Sequence, residues 1–148
     1  MDLFTAMKVG GSGLQAQRVR LNLATQNLAN INTTQTPDGG PYRAKRVVLA
    51  AQEGGNSASF EEALRGAGGP QAESVQVRQV VESEAEPKRV YDPSHPDADD
   101  QGYVAMPNIN RVTQMTDLMD ATRNYKANTM TISAAREMAL HALRIGGQ

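Results

Sequence analysis

The sequence predicts a mainly α protein with a small β-rich middle, whose long N- and C-terminal helices form an intermolecular, coiled-coil-like core. Three observations carry that prediction. Leu14, Leu21 and Leu28 recur every seven residues near one end. Leu118, Tyr125, Ile132 and Ala139 do the same near the other, the spacing of a helix stripe that packs on further helices. Between them, residues 32–106 hold eleven Leu, Ile, Val or Phe, about 15%, below the roughly 20% at which a chain stops looking able to fold alone. The driving force for burial therefore sits in the arms. The 148 residues divide into an N-terminal assembly helix over 1–32, a β-rich and loop region over 33–106, and a C-terminal assembly helix over 107–148.

At the N-terminus, Gly10-Gly11 interrupts the first apolar run, and Ser12 followed by Gln15 reads as a capping box that starts a helix. Leu14, Val19, Leu21, Ala24, Leu28 and Ile31 then share one side, with Gln15, Gln17, Arg18, Asn22 and Gln26 on the other. Asn27 and Asn30 are mediocre helix formers, so their amides are expected to be committed to specific hydrogen bonds. The turn signal Thr36-Pro37-Asp38-Gly39-Gly40-Pro41 ends this helix near Asn32-Thr33.

In the middle, residues 42–52 are β-branched and aromatic enough for a strand. Residues 54–70, rich in Gly, read as a mobile surface insertion around a short helical pattern at 60–65. Alternation of Val75 and Val77 with polar residues predicts a second strand over 73–82, and KRVY over 88–91 a third. Residues 92–110 read as a stiff, acidic, Pro-punctuated connector. Asn108 or Asn110 caps the C-terminal helix, which runs to about Ile145. His141 and Arg144 complement its dipole, and Gly146-Gly147 supplies the stop.

Composition excludes several chemistries. Without cysteine there is no disulfide, thiolate metal site or Cys nucleophile. A net charge of -1 argues against a nucleic-acid partner. No stretch approaches the ~20 apolar residues of a membrane span, and MDLFTAMKVGG is no cleaved signal peptide. Asp97, Asp99, Gln101 and Gly102 match the start of a calcium loop, with Asp92 and His95 close by. The match fails where Asn108 replaces the bidentate Glu and where Pro93 and Pro96 forbid the preceding helix. His95 and His141 accompany no nucleophile-elbow serine, and Gly10-Gly11-Ser12-Gly13 lacks the Lys of a phosphate loop. Arg43, Lys45 and Arg46 read as a solvated strand face. No catalytic, cofactor or metal residue, and no small-molecule substrate, is expected.

What remains is assembly. The residues expected at subunit interfaces are Leu14, Leu21, Asn27, Leu28, Asn30 and Ile31 on the first helix, and Met115, Leu118, Met119, Tyr125, Ile132 and Leu143 on the last. Met115, Met119, Met130 and Met138 give the last helix adaptable contacts, and Ala121, Ala127, Ala134, Ala135 and Ala142 allow close approach.

SGLQAQRVRLNLATQNLANINT resembles the N-terminal signature of bacterial flagellar axial proteins, the rod and hook family, with its Asn27–Thr33 turn. GPYRAKRVV (40–48), VYDPSHPDADDQGYVAMPNIN (90–110) and MTDLMDATRNYKAN (115–128) are similar to members from the proximal rod, and only 50–88 diverges. The resemblance implies a structural subunit of the drive shaft that crosses the periplasm from motor to hook. It implies export, without a cleaved signal, through the flagellar type III apparatus. Partners would be other copies of the chain, other rod proteins, and the adaptor on the membrane-ring and export-gate side of the basal body. The alternative is a compact helical adaptor, its arms paired within the chain, that offers the acidic 92–102 loop to calcium.

Overall fold

The computed structural model describes residues 3–52 and 74–146. The order is α1 (Leu3–Ala29), β1 (Lys45–Gln52), β2 (Ser74–Glu82), β3 (Lys88–Tyr91), β4 (Tyr103–Met106) and α2 (Arg111–Gly146). β1 pairs with β2, and β3 with β4, in two separate two-stranded sheets. The expected insertion at 54–70 lies outside the described residues. The chain divides into two compact units, each drawing on both helices. The first comprises residues 1–18, 49–78 and 122–148, the second 19–48 and 79–121.

In the first unit, α1 begins well before the expected capping box and runs through Gly10, Gly11 and Gly13. Ser12 is not a cap: its hydroxyl donates to the Val9 carbonyl at 2.8 Å and accepts the Val75 N–H at 3.1 Å. The glycines survive inside a helix because α2 passes close by. A Cβ on Gly10 would lie 2.9 Å from Ile132 Cγ1, and one on Gly13 2.7 Å from Asn128 Nδ2. Those two contacts run in opposite senses along the chain, so this helix pair is antiparallel. Tertiary approach has overridden the ~1 kcal/mol that helical Gly costs against Ala. Gly11, by contrast, has nothing within 4 Å of an added Cβ. Gly11→Ala should thus raise stability by up to about 1 kcal/mol. Gly10→Ala should lower it, because overpacking costs about 1–3 kcal/mol. Thermal unfolding followed by circular dichroism separates the two, and equal gains at both positions would contradict this packing.

In the second unit, α1 ends at a side-chain cap. Asn30 Nδ2 donates to the Gln26 carbonyl at 2.8 Å, while its Oδ1 accepts the Thr33 hydroxyl at 3.1 Å. The same Gln26 carbonyl accepts the Asn30 N–H at 3.0 Å, so the side chain reinforces the last turn. The following turn needs positive φ at Gly39 (88°) and Gly40 (74°). It closes on Thr36, whose N–H bonds the Gly40 carbonyl at 2.9 Å.

The acidic connector is a hairpin, not a simple spacer. β3 and β4 run antiparallel, with Lys88 opposite Met106 and Tyr91 opposite Tyr103. Sequence reading missed β4 because only four residues alternate, between a Gly and a Pro, too few to register as a strand. Gly102 is required twice over: its φ is 76°, and a Cβ would sit 3.0 Å from the Tyr91 ring and 3.1 Å from Pro93. The core here is small, with Leu23, Ala24, Val104, Ile109 and Ala121 buried. Asn110 caps α2 as one of the two expected residues, accepting the Val112 and Thr113 N–H groups at 2.9 and 3.3 Å. The other, Asn108, instead donates to the Glu86 carbonyl at 3.2 Å.

Candidate assembly surface

On α2 the inward line is a heptad series of alternating four- and three-residue steps. Gln114, Leu118 and Ala121 supply it in the second unit, and Asn128, Ile132, Ala135 and Ala139 in the first; all are buried or half-buried. Tyr125 keeps the spacing but stays more exposed. On α1 the facing residues are small or polar: Gly10 and Gly13 in the first unit, Asn27 in the second. Leu14, Leu21, Leu28 and Ile31, the conspicuous apolar stripe, are all only half-buried. The arms therefore do not stand free. In each unit, the partner of one helix is the other helix of the same chain.

Asn27 joins three elements of the second unit. It is 2% exposed, and each hydrogen-bonding site of its amide is used. Nδ2 donates to the Lys45 carbonyl and to Gln114 Oε1, both at 2.9 Å. Oδ1 accepts the Lys45 N–H at 2.8 Å and the Tyr42 hydroxyl at 3.1 Å. A primary amide has two donors and an acceptor oxygen with two lone pairs, so none is left over. The paired bonds to Lys45 imitate a neighbouring strand at the first residue of β1. Burial pushes the Tyr42 hydroxyl above its usual pKa, which keeps it protonated as the donor. The expectation that Asn27 and Asn30 use their amides specifically holds at both positions. Asn27, however, is engaged within its own chain.

The outward face of α2 is different. In the second unit, Met115 and Met119 are 46% and 57% exposed and continue a line from Val112. In the first unit, Met130, Met138, Leu140, Leu143 and Ile145 are exposed. Sequence reading singled out Met115, Met119 and Leu143 but missed Val112, Leu140 and Ile145. Only part of a signal was available: Val112, Met115 and Met119 recur at three- and four-residue steps, and the series breaks at Thr122 and Arg123.

The hairpin shows no cation cage. Asp92 accepts the Ser94 hydroxyl at 2.6 Å, and that bond holds its carboxyl below the usual carboxylate pKa. Asp99 accepts the Tyr103 N–H at 2.8 Å, the main cause of its own lowered pKa, and pairs with Arg89 at 2.6 Å. Asp97 accepts the Thr34 hydroxyl at 2.7 Å. Asp92 and Asp99 thus organise their own backbone, an Asx-turn role, while Asp97 ties the hairpin to Thr34. Among the described residues no three His, Cys, Asp or Glu gather to hold a metal ion.

Known families match both helices. The family described as "Flagella basal body rod protein" covers residues 7–35, and "Flagellar basal body rod FlgEFG protein C-terminal" covers 100–145. The flagellar basal-body rod protein FlgC of Salmonella typhimurium is 40% identical, over 99% of both chains. That of Borreliella burgdorferi is 36% identical over 98% of both, and that of Bacillus subtilis 36% over 99% of both. The chain belongs to the FlgC family of flagellar basal-body rod proteins. The N-terminal family match spans the glycines that meet α2, the Asn27 centre and the Asn30 cap. The C-terminal match spans β4, the Asn110 cap and nearly all of α2. The two family matches therefore cover most of the residues of both helices.

Proposed function

We propose that the chain is a structural subunit of the flagellar rod whose outward α2 face docks on neighbouring subunits. Family membership supports the rod role. The observation that carries the docking is the exposure of Val112, Met115, Met119 and Met130 on a helix already paired on its other side. Flexible Met side chains suit a surface that must fit several unlike neighbours. A head-to-tail contact between copies that does not close on itself generates a helical filament, the form a shaft requires. In this reading the partners are other copies, other rod proteins, and the adaptor on the export-gate side. The subunit reaches the periplasmic shaft through the flagellar export apparatus and transmits torque from motor to hook. Leu14, Leu21, Leu28 and Ile31, half-buried along α1, supply the complementary surface.

Imaging of basal bodies isolated from cells that carry a labelled copy of this chain is the direct test. Label is expected on the rod, within the part nearest the motor. Label confined to the hook, or absent from rods of a complemented strain, would remove the proposal.

A further inference from the structure

We propose that the groove between α1, β1 and α2 in the second unit seats the acidic hairpin tip of a second copy, with Asp100 entering beside Arg46. The inference rests on the rod reading and names one contact within it.

The groove encloses about 180 Å³, the volume of roughly six waters at ~30 Å³ each, which is room for one short side chain. Its floor is closed to further bonding, because every site of the Asn27 amide is used. Its walls carry Arg20, Lys45 and Arg46 against a single carboxylate, Asp117. Lys45 is answered by Glu82 at 3.4 Å. Arg46 is exposed and makes no side-chain hydrogen bond or ion pair among the described residues. Gln114 has committed Oε1 to Asn27, so the group it still offers is Nε2, a donor. Donors therefore outnumber acceptors here, and the side chain that answers them is an acceptor only, an ionised carboxylate. Asp117 at the wall disfavours a group of higher negative charge.

The chain carries such a carboxylate on a rigid mount. Asp92, Asp97 and Asp99 of the hairpin are engaged with Ser94, Thr34 and Arg89. Asp100 is exposed and makes no side-chain hydrogen bond or ion pair among the described residues. The turn holds it from both sides, because Asp99 Oδ1 accepts the Gln101 N–H at 3.0 Å and the Tyr103 N–H at 2.8 Å. Arg89 lies 5.0 Å from the centre of the Tyr103 ring and braces the strands behind. A carboxylate held in advance loses little freedom on docking. Asp100 and Arg46 belong to the same unit and neither finds a partner there, so the pairing joins two copies. The two patches are unlike, so each copy gives Asp100 to one neighbour and receives that of another, an arrangement that extends rather than closes.

Strains whose only copy of the chain carries Arg46→Glu, Asp100→Arg, or both, test this through counts of completed basal bodies per cell. Each single variant should lower the count at least about tenfold, because like charges then meet at the contact. Arg46→Gln and Asp100→Asn, which remove charge without reversing it, should lower it by a smaller factor. The double charge reversal should restore most of the count, since the pair re-forms with its charges exchanged. All of these monomers should keep the parent's thermal midpoint, both positions being exposed. Parental counts in either single reversal would overturn the inference. A double reversal no better than the singles would overturn it too, and would give the groove to a carboxylate of another rod protein. Neither result bears on the rod assignment, which is decided on labelled basal bodies.

Discussion

Asn27→Asp is expected to lower the unfolding free energy by about 3 kcal/mol at neutral pH. The substitution keeps shape and removes both donors. The Lys45 carbonyl and Gln114 Oε1, each at 2.9 Å from Nδ2, would then face a carboxylate instead of an amide. A buried acceptor left unpaired costs about 1–3 kcal/mol, more where charge is involved. Desolvation and the nearby oxygens raise the introduced carboxyl above the ordinary Asp value near 3.9. Stability from such a raised group is present below the unfolded pKa and lost as pH rises through the folded one. The deficit relative to the parent should therefore be smallest near pH 4, where the protonated acid restores one donor, and should grow toward pH 7. Urea unfolding at both pH values measures it. A deficit that does not change with pH would show that position 27 lacks the buried amide geometry.

The second large effect concerns assembly without folding. Met115→Asp combined with Met119→Asp should abolish swimming and rod completion while leaving the monomer's circular dichroism and thermal midpoint nearly unchanged. Both side chains lie on the outward face of α2, and exposed substitutions typically shift stability by no more than about 0.5 kcal/mol. In a docked state each Met would contribute roughly 1.5–3 kcal/mol of burial. Each Asp would also bring an unpaired charge into an apolar contact. Normal swarming by a strain that carries only the double variant would rule out this face as a docking surface. A collapse of the monomer would instead show that these residues support the fold.

The overall α–β–α order was legible in the sequence because long helices announce themselves by period. What was illegible followed from small and polar residues. A heptad search selects Leu14, Leu21 and Leu28, yet the residues that meet α2 are Gly10, Gly13 and Asn27. Close helix approach favours the smallest side chains, and those look like breaks when the partner is unknown. Gly10-Gly11 was read as an interruption for that reason, though α1 continues through it. Asn27 and Asn30 were legible as misfits in a helix, but not their partners: Lys45 lies 18 residues away and Gln114 lies 87. The hairpin at 88–106 was half legible. Its turn residues stood out, while β4 was too short to show.

One feature of the first unit bears on growth. Gly10 against Ile132 and Gly13 against Asn128 fix a register in which the start of α1, Leu3, lies close to Ala139. The remaining turns of α2 extend past it for about 10 Å at 1.5 Å per residue, and Ile145 there is 82% exposed. Among the described residues of this unit, α1 does not reach these last turns of α2. If copies in the proposed rod join through these turns, they all point the same way, and a fibre of such parts has polarity. Elongation and termination of such a fibre would then take place at chemically different tips.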